Sequence, residues 1–260
     1  MCDTCGGHAD GGPLDHDHEH SHGHEHGHEH GRKNTRVSLS PAEGNVLASN
    51  SRLAQRTRHE LGARGILMVN ITSAPGSGKT ALLHATLSQA EPGSCAVLVG
   101  DLETDRDAAR LRGLGAQVRQ INTGKGCHLS AAQVSAGLDQ LELEGLETLF
   151  VENVGNMACP SDYDLGEHAR VAMLSLPEGD DKAAKYPGLF AAADVVLLNK
   201  VDLAHVLPFN EDLLRQDLAR LNTRAPLLRL SAVGGQGIEA WVQWLQSFRE
   251  QVLAGLGARV

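Results

Sequence analysis

The sequence predicts an α/β fold, a mostly parallel sheet wound on both faces by helices, with an appended N-terminal tail. Three observations lead there. From about residue 66 onward, short apolar runs alternate with segments of helical periodicity, the pattern of repeated strand-helix-strand units. The 260 residues suffice for one core of about 200 residues plus an appendage. The hydrophobic fraction is 41% while aromatics make up only 3%, so the core must be built from Leu, Val, Ala and Ile, which suits parallel strands buried on both faces.

The elements follow in order. Residues 1–36 are set apart as a Cys/His-rich tail and 37–260 as the globular domain. Residues 1–31 consist largely of Gly, His, Asp, Glu and Cys without apolar periodicity. Such a segment cannot offset the entropy of ordering and is expected to be disordered without metal. The basic patch Arg32-Lys33-Asn34-Thr35-Arg36 closes it. Ser40-Pro41-Ala42-Glu43 then forms a helix start, with Ser40 as N-cap, Pro41 in the first turn and Glu43 three residues on. That helix is expected to reach about Leu61, before Gly62 and Gly65. Apolar runs at Ile66–Ile71, Cys95–Val99, Thr148–Val151, Val171–Leu176, Val195–Leu198 and Leu227–Leu230 read as strands, with a weaker one near Val118–Ile121. Helical periodicity fits Thr80–Gln89, Asp105–Leu114, Ser130–Leu143, Asn210–Leu221 and Ile238–Leu256. Ligands of such a sheet are expected at the carboxyl ends of its strands.

Charge and cysteine usage exclude several classes. The formal net charge is −9, whereas a nucleic-acid binder needs a basic footprint. No stretch approaches the roughly 18 apolar residues of a membrane span, and the start lacks the apolar core of a signal peptide. A cytoplasmic protein is expected. Five cysteines in a reducing compartment favour thiolate-metal chemistry over a disulfide framework.

The sharpest motif is Ser73-Ala74-Pro75-Gly76-Ser77-Gly78-Lys79-Thr80, between the first strand and a helix, as a phosphate-binding loop requires. Its glycines let backbone N–H groups face phosphate oxygens, Lys79 reaches the terminal phosphates, and the Thr80 hydroxyl is placed to hold Mg²⁺. Ser73 stands where a first glycine is usual. The expected nucleotide-binding set here is Ser73, Pro75, Gly76, Ser77, Gly78, Lys79, Thr80 and Ala81. Asn199-Lys200-Val201-Asp202 directly follows another apolar run. A carboxylate at Asp202 can accept two hydrogen bonds from N1–H and the exocyclic amine of guanine, a donor pair adenine lacks, which selects GTP. Ser231-Ala232, after the last strand, is placed to meet the guanine O6.

Two acidic points follow strands. Asp101 succeeds Val97-Leu98-Val99-Gly100, and Glu152 ends Leu149-Phe150-Val151 ahead of Asn153-Val154-Gly155. With Lys79 they form the expected catalytic group, and with Thr80 the Mg²⁺ group; the Gly155 N–H can sense the γ-phosphate. No glutamine or arginine is nominated to position water or stabilise charge, so intrinsic hydrolysis is expected to be slow.

Soft ligands form a second theme. Cys127-His128 follows Asn122-Thr123-Gly124-Lys125-Gly126, and Cys159 precedes Pro160 a few residues beyond Gly155. Thiolate and imidazole suit Ni²⁺ or Zn²⁺. On spacing alone, two buried structural cysteines and an unrelated histidine are the favoured reading. At the front, Cys2-x-x-Cys5 precedes a tract in which His16, His18, His20, His22, His24, His26, His28 and His30 occupy every second position among acids and glycines. That spacing favours a natural metal-binding tract over a purification tag.

Taken together, the phosphate loop, Gly100-Asp101, Asn122–Leu129, Glu152–Pro160, Asp164-Leu165-Gly166-Glu167 and Asn199–Asp202 closely resemble the hydrogenase nickel-incorporation GTPases, the HypB family. The resemblance covers residues 40–260 and implies a SIMIBI-like P-loop GTPase. It further implies that Cys127, His128 and Cys159 bind nickel or zinc near a dimer interface, and that the histidine tract stores nickel. The N-terminal motif departs from the family's Cys-x-x-Cys-x-Cys, because Gly7 stands at the third cysteine; Cys2 and Cys5 remain ligand candidates. Membership implies GTP-dependent homodimerisation, a HypA-type metallochaperone partner and delivery of nickel to a [NiFe] hydrogenase large-subunit precursor. Two alternatives are a nickel buffer with secondary GTPase activity and a urease-accessory-like GTPase. Because Cys159 lies four residues beyond Gly155, nucleotide state is expected to change nickel affinity.

Overall fold

Strand β1 (Leu67–Ser73) is buried along its whole length, which is why it reads in sequence as a continuous apolar run rather than an alternating one. Leu67, Val69 and Ile71 enter one core and Met68 the other, so the period of two is spent on two different helical layers. The computed structural model describes residues 41–100, 105–123, 126, 128–158 and 163–257. All fall in one unit of the chain, Leu39–Val260. Ser40, the expected N-cap, lies outside the described residues.

Helix α1 (Pro41–Ala63) precedes β1 and ends at a turn where Gly65 takes a φ of 74°. After β1 the chain continues through α2 (Lys79–Leu87), β2 (Cys95–Val99), α3 (Asp105–Arg112), β3 (Gln117–Gln120), α4 (Ala131–Leu138) and β4 (Thr148–Glu152). The second half adds β5 (Ala169–Ser175), α5 (Lys182–Lys185), α6 (Pro187–Ala191), β6 (Val195–Asn199), α7 (Glu211–Leu221), β7 (Leu227–Arg229) and α8 (Ile238–Gly257). The strands form one sheet in the order β3-β2-β4-β1-β5-β6-β7. Every pairing in it is parallel. Parallel neighbours require crossovers, and the helices supply them on both faces.

One face is packed by α2, α3 and α8, through Leu82, Leu83, Leu87, Leu111, Ile238, Trp241 and Leu245. Trp241 is fully buried and its indole N–H donates to the Thr86 hydroxyl at 2.9 Å, joining α8 to the helix that follows the phosphate loop. The opposite face has two clusters, one under α1 and α4 and one under α6 and α7. Among the described residues no helix is long and apolar enough to cross a membrane.

Expectation and structure part at three places. The helix expected over Ser130–Leu143 ends at Leu138, because a turn carries Leu141 and Leu143 back onto the core, where their apolar spacing is satisfied without helix. Its start is as read: Ser130 caps α4 in a reciprocal capping box with Gln133. The short helices α5 and α6 were not anticipated, since four or five residues hold too little periodicity to register.

Candidate functional site

The carboxyl end of β1 opens into residues 74–78, and Gly78 sits at the N-cap of α2 with φ 102°. No other residue type fits there, for a Cβ on Gly78 would stand 2.5 Å from Asn199 Nδ2. The loop therefore wraps closely on the end of β6, and its N–H groups stand at the positive end of the α2 dipole. Lys79 is only 4% exposed and Ser77 fully buried, while Pro75 and Gly76 face solvent. Ala81 continues the first turn of α2.

Thr80 Oγ1 donates to Glu152 Oε1 at 3.0 Å. A hydroxyl and a fully buried carboxylate held together at the foot of a phosphate loop are hard oxygen donors of the kind Mg²⁺ takes, so these residues fit that ion. Asp101, the third expected member, lies outside the described residues.

One group in this region escaped the sequence reading. Glu178 Oε1 accepts from the Ser77 hydroxyl at 2.6 Å, from the Ser175 N–H at 2.9 Å and from the Ser175 hydroxyl at 2.7 Å. It ties the phosphate loop to the end of β5. The signal was present as Ser175-Leu176-Pro177-Glu178, a capping box that starts a 3-10 turn.

The segment after β6 closes the other side. Asn199 Nδ2 donates to the Ser77 carbonyl at 2.7 Å, and its Oδ1 accepts from the Ala232 N–H at 3.0 Å. One buried carboxamide thus joins the phosphate loop, the β6 end and the Ser231-Ala232 turn. Lys200 adopts a left-handed φ of 61° and donates to the Gly76 carbonyl at 2.6 Å. Asp202 is exposed at the start of the 3-10 turn Val201–His205. Ser231 Oγ accepts from the Gly234 N–H at 3.0 Å and shapes the turn that ends in the exposed Val233. A cavity of about 520 Å³ lies beside these groups, lined by Thr80, Ala81, His84, Arg110, Ala232 and Val233. A second cavity, about 470 Å³, opens near the amino ends of β2 and β4 beside Cys95 and Arg249, away from the phosphate loop.

Beyond Glu152 the chain turns under Asn153, which is 1% exposed. Asn153 Oδ1 accepts from its neighbour Val154 N–H at 2.9 Å and from the Leu129 N–H at 3.4 Å, and Nδ2 donates to Asn70 Oδ1 at 3.2 Å. Gly155, the expected γ-phosphate sensor, is half-buried two residues on. His128 stacks on Tyr163 with ring centroids 3.8 Å apart. Asn50 of α1 holds the same two segments, since its Oδ1 accepts from Ala131 N–H at 2.8 Å and its Nδ2 donates to the Asp164 carbonyl at 2.7 Å. Burial raises the Asp164 carboxyl, but the Gly166 N–H and the Arg58 guanidinium outweigh it and hold the group below the usual carboxylate range. Cys127 and Cys159, like Cys2, Cys5 and the tract His16–His30, lie outside the described residues. Among the described residues no three His, Cys, Asp or Glu side chains converge on one point.

Residues 67–229 match the family model described as "CobW/HypB/UreG, nucleotide-binding domain". The hydrogenase maturation factor HypB of Escherichia coli (strain K12) is 45% identical over 208 residues, spanning 80% of this chain and 72% of that protein. The chain belongs to the HypB family. The crystal structure of HypB from Helicobacter pylori in complex with nickel superposes with a TM-score of 0.74 at 36% identity, covering 78% of this chain and 96% of that one. HypB from Archaeoglobus fulgidus superposes with the same score at 37% identity, covering 78% of this chain and all of that one, 100%. In this HypB-family chain the sheet brings Ser73–Ala81, Glu152, Asn199–Asp202 and Ser231-Ala232 to a single edge, drawn from strands far apart in sequence.

Proposed function

We propose that the chain is a GTP-hydrolysing nickel metallochaperone that delivers nickel during [NiFe] hydrogenase maturation, with GTP and Mg²⁺ as its nucleotide and cofactor and nickel as cargo. The observation that carries this reading is the stack of His128 on Tyr163 at 3.8 Å, which brings the histidine expected to bind metal to the segment that follows the turn expected to meet the γ-phosphate. Nickel in the complex solved for the Helicobacter pylori relative supports the choice of cargo.

In this reading the Gly76–Lys79 backbone and the Lys79 ammonium bind the β- and γ-phosphates, and Asp202 selects guanine through its paired donors, with Ser231-Ala232 beside O6. Mg²⁺, when bound, would supply positive charge to offset that of the phosphates. The Thr80 hydroxyl and the Glu152 and Asp101 carboxylates would hold that ion, and the Gly155 N–H would meet the γ-phosphate. Glu178 and Asn199 keep the loop in shape without touching the nucleotide. The sequence nominates no glutamine or arginine to position water, and intrinsic turnover is slow in this reading.

Cys127, His128 and Cys159 take nickel, or zinc, as thiolate and imidazole donors. The histidine tract of residues 1–36 stores nickel, with Cys2 and Cys5 as further ligands. A GTP-dependent homodimer in the cytoplasm, a HypA-type donor and the hydrogenase large-subunit precursor complete the scheme. Nickel and zinc titration of a chain lacking residues 1–31, with and without the Cys127→Ala and Cys159→Ala pair, in GDP and in a non-hydrolysable GTP analogue, tests it. A stoichiometric site lost in the double variant and altered by nucleotide is expected. No site in the shortened chain would overturn delivery by the domain and leave storage in the tail.

A further inference from the structure

The segment carrying His128 is not held by its own loop alone. Leu129, the next residue, is fully buried and lies against the end of β2, so close that a Cβ on Gly100 would meet its Cδ1 at 2.6 Å. Its N–H points to Asn153 Oδ1 at 3.4 Å, at the long end of hydrogen-bond geometry. The same oxygen accepts from Val154 N–H at 2.9 Å, and Val154 immediately precedes Gly155. The backbone N–H of Asn153 donates to Ile71 carbonyl at 3.1 Å and its Nδ2 to Asn70 Oδ1 at 3.2 Å, so the residue is pinned to the central strand. One acceptor oxygen is therefore shared between the turn expected to follow the γ-phosphate and the residue beside the metal ligand. A shared acceptor cannot serve both donors equally when one of them moves.

We infer that Asn153 is the positioning residue through which the nucleotide-sensing turn and the His128 segment set one another's geometry. The inference deepens the function proposed above and rests on it. Movement of Val154-Gly155 toward a γ-phosphate turns the Asn153 carboxamide about its Asn70 anchor and tightens or releases Leu129, and with it His128. A ligand shifts such an equilibrium only by its differential affinity for the two arrangements, and the coupling must be reciprocal. Asn50 provides the comparison, for it holds the same segment from the other side, and among the described residues its side-chain bonds run to the Ala131 N–H and the Asp164 carbonyl rather than to Val154-Gly155.

Reciprocity allows the test to be read from the nucleotide side in the full chain, where nickel held elsewhere on the chain is common to every nucleotide state. Competition with a fluorescent nucleotide gives the ratio of GDP to GTP-analogue affinity, without nickel and at saturating nickel. In the native chain nickel is expected to change that ratio by about 5-fold or more. In Asn153→Ala the change falls below about 2-fold, whereas Asn50→Ala retains it. Asn153→Ser, whose hydroxyl stops one atom short of the carboxamide oxygen, behaves like the alanine variant and guards against an alanine variant that fails to fold. A native-sized nickel effect in a folded Asn153 variant overturns the inference and leaves the function standing. No nickel effect in the native chain overturns the coupling in both.

Discussion

Asn199 donates to the Ser77 carbonyl at 2.7 Å, so the residue that opens the base-recognition segment also braces the loop that grips phosphate. One carboxamide thus joins the loop after β1, the end of β6 and the Ser231-Ala232 turn, so in the proposed function base and phosphate recognition depend on each other. Removing it with Asn199→Ala leaves the buried Ala232 N–H and Ser77 carbonyl unpaired. The expected loss is about 2–3 kcal/mol in nucleotide affinity, roughly 30- to 150-fold, for GDP and GTP alike. A titration that finds one nucleotide spared would contradict a shared brace.

Gly76 and Gly78 separate backbone strain from steric contact. Both have positive φ, 75° and 102°, but a Cβ on Gly76 meets nothing within 4 Å whereas one on Gly78 meets Asn199 Nδ2 at 2.5 Å. Gly78→Ala is expected to lower thermal stability by about 2–4 kcal/mol and Gly76→Ala by about 1 kcal/mol. Comparable melting temperatures for the two variants would mean that Asn199 yields freely.

In the proposed function Asp202 selects the base. Asp202→Asn replaces one acceptor with a donor, so it rejects the guanine amine and suits xanthine, which carries a carbonyl there. GTP affinity is expected to fall by about 3 kcal/mol, roughly 150-fold, with a gain for xanthosine triphosphate. Unchanged preference in a competition assay would remove Asp202 from base recognition.

His168 contributes a pH dependence of known sign. Its Nδ1 accepts from the Met68 N–H at 2.9 Å and Nε2 lies 3.0 Å from the Arg58 carbonyl, which selects the neutral ring with the proton on Nε2. Burial above all, helped by the Arg58 charge and opposed by the Arg58 carbonyl, lowers its pKa below 6.5. The unfolded chain then takes the proton first as pH falls. The contribution is complete above about pH 6.5 and is lost progressively below it, down to the folded pKa. Melting curves of the native chain and His168→Gln between pH 7.5 and 5.5 should diverge, the native chain losing more. The comparison cancels Glu167 and Asp194, whose carboxyls burial raises and which act in the opposite direction.

The α2–α8 contact offers a stability test remote from the nucleotide. Trp241→Ala is expected to cost about 3–5 kcal/mol by leaving a cavity and removing the indole donor from a Thr86 hydroxyl that keeps its own bond to the Leu82 carbonyl. Denaturant unfolding with an unchanged midpoint would show that α8 adds little to the core.

How much of this was legible depended on how local each signal is. Strands β1, β2 and β6 announced themselves as apolar runs, because parallel strands buried on both faces leave no room for polar alternation, whereas the edge strand β3 is mostly polar and gave only a weak signal. The loop between β1 and α2 was legible because its glycines are dictated by a tight strand-to-helix turn, Gly78 having a φ of 102°. Glu178 and Asn153 were not. Glu178 reads locally as a helix cap, and nothing in Ser175–Glu178 reveals that its carboxylate also meets Ser77 from the neighbouring strand. Asn153 reads as a polar strand end, since its partners Asn70 and Leu129 come together only through strand order. The overlong α4 assignment has the same root: Leu141 and Leu143 keep helical spacing but meet the core from a turn.

The central position of β1 carries a cost during synthesis. Leu67 pairs with Thr148 and Val69 with Ala169, so the most buried strand leaves the ribosome long before either neighbour exists. At about 5–20 residues per second, this apolar strand waits on the order of 5–20 s with both edges open. Nucleotide cannot shorten the wait, because Asn199 and Ala232, which close the phosphate loop, are made later still. Newly made chains are thus exposed to aggregation or chaperone capture over a defined window, and ligand rescue can begin only once nearly the whole chain has emerged.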